Sequence, residues 1–109
     1  MELTQTDDAG RPVLAISGKC TVEHAAALRQ ALLAALAGGS LTLDVSRVEE
    51  VDVTFLQLLL ATALTVAREG GTFGRVGALG DACRQAARVS GFDQTPQLKT
   101  FFAEEDDDG

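Results

Sequence analysis

The side chains that could do chemistry fall mainly into two short stretches. Cys20, Glu23 and His24 form one, and Asp44, Ser46, Glu49, Glu50, Asp52 and Thr54 form the other. A Glu–His pair can begin an acid–base site, but no nucleophile or orienting third group accompanies His24, so it reads as a surface histidine. Cys20 stands before a helical stretch, the setting in which a thiol is acidified; a small residue closing a strand is the alternative. Cys20 and Cys83 belong to no CxxC pair, and with one histidine in the chain they supply no metal set. They read as reduced, structural cysteines, with a disulfide left open. The glycines make no GxGxxG or Walker loop, and the acidic run 104–108 lacks the spacing and turn glycine of a calcium loop. That leaves the second stretch. Asp52 stands at the mouth of a long apolar segment, where its carboxylate can accept from the amides of Thr54 or Phe55. A phosphate on Thr54 would sit where helix amides and the helix dipole stabilise it.

The elements that must position these groups centre on Leu41 to Gly71. Leu41–Val45 (LTLDV) is a β-type run, Ser46–Glu50 a polar loop, and Val53–Ala67 an apolar segment free of Pro and Gly. Such a segment is too long for an ordinary strand and too short to span a bilayer, so it predicts a buried helix, Val53 to Glu69. Helical spacing puts Leu56, Leu59, Leu60, Ala63 and Ala67 inward, and Thr54, Gln57, Leu58, Ala61, Thr65 and Arg68 outward, with Phe55 at the flank. Arg68 suits the negative helix end, and Gly70-Gly71 stop it.

Upstream, Glu2–Thr6 and Pro12–Ser17 (PVLAIS) predict a hairpin across Asp7–Gly10. Thr21 caps a helix over 22–36, with Ala25, Leu28, Leu32, Ala35 and Leu36 inward and Gly38-Gly39 closing it. Downstream come a short strand over 72–76, a helix over 82–89 capped by Asp81, and after Thr95-Pro96 a strand or docked helix packed by Leu98, Phe101 and Phe102. The order β-β-α-β-α-β-α implies an α/β fold, a mixed sheet of about four strands with helices on one side. One domain is expected over 1–102, followed by an acidic, disordered tail over 103–109.

Composition narrows the function. The net charge is −7, but five of the 16 acids fall in 104–108, leaving 11 acids against 9 bases in the body. With no basic patch or aromatic–basic stripe, nucleic acid is not an expected partner. Neither a secretory leader nor a membrane span is read, so a cytoplasmic protein is expected. No cofactor is implied.

The order and spacing of three pieces carry a resemblance. They are "LAISGKCT" (14–21) before the first helix, "LDVS" with "VEEVD" leading to "LQLLL" (43–60), and "SGF" (90–92) after a late helix. Together the chain resembles a STAS domain, the fold of bacterial anti-sigma factor antagonists. The resemblance implies a non-enzymatic interaction module that docks a protein partner, such as an anti-sigma factor that is also a serine kinase. It also implies that the working site follows the third strand, in the pattern Asp, phosphorylated Ser or Thr, small residue, Gly. Asp52 matches the Asp. Val53, however, stands at the phosphorylated position, Thr54 fills the next, and Phe55 replaces the Gly. Phosphorylation is therefore absent at the usual residue, with Thr54 the nearby substitute. The expected partner-binding residues are Ser46, Asp52, Val53, Thr54, Phe55, Gln57, Leu58 and Ala61. STAS-like proteins also accompany chemotaxis arrays and lipid-transport ABC complexes. A small ligand-binding α/β protein or enzyme is the rival class, for which Asp44, Asp52 and Glu49-Glu50 are the only titratable groups near the strand ends.

Overall fold

A computed structural model describes residues 1–8, 10–36 and 39–103; the acidic run 104–108 lies outside the described residues. The strands are β1 (Glu2–Asp8), β2 (Arg11–Cys20), β3 (Leu41–Val51) and β4 (Phe73–Arg75). The α-helices are α1 (Ala25–Ala35), α2 (Val53–Arg68), α3 (Asp81–Ser90) and the single turn α4 (Lys99–Phe102). The sheet order is β1-β2-β3-β4. β1 pairs antiparallel with β2, and β2–β3 and β3–β4 are parallel, giving the expected mixed α/β sheet.

The helices lie on one side of it. On β3, Leu41, Leu43 and Val45 are buried because alternate side chains of a strand share a face. They join Leu14 and Ile16 of β2, Leu28 and Leu32 of α1, and Phe55, Leu56 and Leu59 of α2 in one core. A buried leucine contributes about 2 kcal/mol. The opposite face holds a polar groove of about 350 Å³ over the small Ala15 and Ser17, walled by Thr4, Thr6, Asp44 and Ser46.

Three sequence expectations are corrected. The polar stretch 46–50 is strand, since β3 keeps pairing with β2 to Cys20↔Val51. It does so through two register shifts, after Ala15↔Asp44 and after Gly18↔Val48, each placing an extra residue on β3. The first turns Val48 inward in place of Arg47, and the carboxylate of Asp44 accepts both the amide and the hydroxyl of Ser46 at 2.9 and 2.7 Å. Second, the helix expected from Val22 starts as a 3-10 turn (Val22–His24), and Thr21 makes no side-chain cap. Third, Asp81 does not cap α3; Gly80 holds that position, and Asp81 pairs with Arg84 at 2.7 Å. Beyond α3, 3-10 turns Phe92–Gln94 and Pro96–Leu98 lead into α4. Leu98, Phe101 and Phe102 are buried there, the docked alternative to a last strand.

Candidate functional site

β3 delivers its last residue, Val51, to the edge of the helical layer, and Asp52 turns the chain into α2. Its backbone is extended, at φ −123° and ψ −176°, as an N-cap requires. One carboxylate oxygen, Oδ1, accepts from the amides of Thr54 at 3.0 Å and Phe55 at 3.3 Å. The other, Oδ2, accepts from the amide of Val22 at 2.9 Å. A single side chain therefore caps α2 and also ties down the 3-10 turn that opens α1. Sequence reading reached the first bond and missed the second, because thirty residues separate the partners and only β2–β3 pairing brings them together.

Two apolar side chains stand out from this junction. Val53 is 50% exposed at the first position of α2, and Val22 is 62% exposed on the other helix start. Glu23, the residue after Val22 in the same 3-10 turn, is exposed. The arrangement offers a small exposed apolar knob with a polar neighbour, the anatomy of a protein contact. It offers little for catalysis. Both oxygens of Asp52 are engaged as acceptors, and no group of His, Cys, Asp or Glu that could hold a metal ion occurs among the described residues.

The remaining expected site residues separate. Gln57 and Ala61 are exposed on α2, and Thr54 is half-buried in its first turn. Phe55 is 1% exposed and belongs to the core, not to an outer strip. Leu58 is half-buried and packs against the core. Ser46 sits across the sheet, in the polar groove with Asp44, so it shares no surface with α2. The cause of the first two corrections is a rotation. α2 buries Phe55, Leu59, Thr62 and Val66 alongside Leu56 and Ala63, and it exposes Ala67. By 3.6 residues per turn, its buried face is turned roughly 60° from the expected one. A wheel drawn against a sheet alone omits a second wall, the Pro96–Leu98 turn, which packs on α2.

Cys20 is not an acidified thiol. Burial pushes it up to about 11; the N-terminal ammonium draws it down, and the Asp52 carboxylate raises it further. Cys83 is pushed up to about 12 by burial, with Cys20 adding and Arg75 opposing. Both are free, buried thiols. Elsewhere a cleft of about 660 Å³ contains Arg75 and Arg84. Arg75 donates there to the carbonyls of Phe101 at 2.9 Å and Gly77 at 2.7 Å, and to that of Ala103. It staples the C-terminal segment to β4, a role with no local signal in sequence.

The chain matches the family model described as "Mlab, STAS domain" over residues 3–100. Its structure resembles an anti-sigma factor antagonist from Mycobacterium paratuberculosis, with TM-score 0.72 and 31% identity over 94% of each chain. It also resembles a putative anti-sigma factor antagonist from Thermotoga maritima, with TM-score 0.65 over 85% of this chain and 81% of that one. At 15% identity, the second likeness concerns the fold alone. No curated protein matches the chain.

Proposed function

This chain belongs to the STAS domain family, and we propose that it acts in bacterial signalling as a non-enzymatic docking module without a phosphorylation switch. The observation that carries this reading is Val53. It occupies the outermost position of α2, half-exposed, where the family resemblance places the modified hydroxyl. A valine has no acceptor oxygen, yet its exposed side chain adds apolar contact area. A phosphate there would bring a charge of about −2; Val53 keeps the contact permanently apolar. Thr54, the neighbouring hydroxyl, is half-buried in the first turn of α2, which limits its access to a kinase active site.

Val53, Val22, Gln57 and Ala61 then form the contact with a protein partner, such as an anti-sigma factor, and Asp52 fixes the two helix starts relative to each other. Leu58 supports the surface from beneath, and Phe55 holds α2 to the core. A chemotaxis or lipid-transport ABC assembly would use the same surface. The test begins with cross-linking from the native cell to identify the partner. Val22→Glu and Val53→Glu should then each weaken its binding at least tenfold, or about 1.4 kcal/mol, with thermal stability unchanged. Affinity indifferent to both substitutions would move the docking surface elsewhere.

A further inference from the structure

Charge is unevenly divided along the chain. Residues 73–103 carry four bases, Arg75, Arg84, Arg88 and Lys99, against two acids, Asp81 and Asp93, while the whole chain carries −7. The run 104–108 that follows this cationic stretch supplies five acids. The fold gathers the stretch around one cleft. Arg75, Arg84, Thr100 and Ala103 line the opening of about 660 Å³, a volume within the range of binding sites. Among the described residues, no carboxylate lines it. A smaller cleft beside it shares Leu79 and Arg84 and contains Arg88. Both guanidiniums of the larger cleft are fixed in place. Arg84 donates to Asp81 at 2.7 Å, and carbonyls take three of the five N–H donors of Arg75. One of those carbonyls belongs to Ala103, the residue that directly precedes the acidic run.

We propose that this cleft is the seat of the chain's own acidic run 104–108, which closes over Arg75 and Arg84 as an electrostatic strap. Three observations single out that occupant. The run begins one residue beyond the lip of the cleft, so its effective concentration there exceeds that of a separate molecule. Its charge is opposite to that of the wall. Its five residues reach at most about 17 Å, which keeps them at this corner of a molecule 37 × 31 × 25 Å in extent. The strap adds to the Arg75 staple in holding the C-terminal segment, whose Pro96–Leu98 turn packs on α2. It therefore secures the wall that sets the rotation of the docking helix. The proposal uses none of the docking residues and stands without that reading.

The test compares the full chain with a full-length variant neutralised by Glu104→Gln, Glu105→Gln, Asp106→Asn, Asp107→Asn and Asp108→Asn. The sign of the change in thermal midpoint decides. The rest of the chain, with 11 acids against 9 bases, is itself negative. Neutralising a merely solvated run relieves repulsion and leaves the midpoint unchanged or raised. With a strap, the same variant should melt about 4 °C lower at low salt. Salt of about 1 M, where the screening length is about 3 Å, should erase the difference. In an Arg84→Gln background neutralisation should lose most of its effect. The guanidinium Nε–H resonances of Arg75 and Arg84 should differ between the two chains while that of Arg29 on α1 coincides, a readout that remains should Arg84→Gln fail to fold. A neutralised variant as stable as the original or more so, or Arg75 and Arg84 resonances that do not move, overturns the proposal and leaves the cleft to an acidic ligand from outside the chain.

Discussion

At the scale of single residues, Asp52 joins what the chain must hold together. Its carboxylate serves two helix starts through three amide bonds, whereas an ordinary N-cap serves one. Replacing a capping side chain by alanine costs about 1 kcal/mol, up to about 2. Asp52→Ala should reach the upper figure, and Asp52→Asn should lose less because it keeps one acceptor; urea midpoints measure both. The thiols make a second prediction. Burial raises Cys20 to about 11 and Cys83 to about 12 from an ordinary 9.0. The unfolded chain therefore releases these protons first. Stability is full below pH 9 and falls as pH rises toward 11 and 12. The thermal midpoint should decline over that window, and Cys20→Ala with Cys83→Ala should flatten the decline.

The elements divide into those readable from local pattern and those fixed by partners distant in sequence. The helix after Asp52 was legible because its apolar run, cap and glycine stop are all local. Its rotation was not, because the Pro96–Leu98 turn that closes over it lies beyond α3. β3 illustrates the same limit: Ser46–Glu50 is polar enough to read as loop, yet pairing with β2 and two register shifts keep it strand. The expected outer strip of α2 was least legible, since a turn of roughly 60° puts Phe55 in the core, while the exposed Val22 belongs to the 3-10 turn before α1. Two substitutions examine the arrangement. Leu59 is fully buried, so Leu59→Asp should prevent folding, costing more than about 4 kcal/mol. At the end of α2, a Cβ on Gly71 would collide with the carbonyl oxygen of Gly39. Gly71→Ala should destabilise by about 2 kcal/mol, visible as a lower midpoint without lost activity of the docking surface.

Over the whole molecule, a mixed sheet carries its helices on one side and leaves the opposite side polar. The docking surface proposed above lies on the helical layer, at the Asp52 junction. In the proposed reading, the phosphate that would release a partner belongs at the start of α2, and Val53 fills that place with an apolar side chain. Thr54 is the hydroxyl on which any remaining switch would depend. The most direct measurement is intact-mass spectrometry with phosphopeptide mapping of the chain isolated from its own cells, before and after incubation with its cross-linked partner and ATP. The expected result is an unmodified chain that stays bound under both conditions; stoichiometric phosphate on Thr54 accompanied by release of the partner would contradict it.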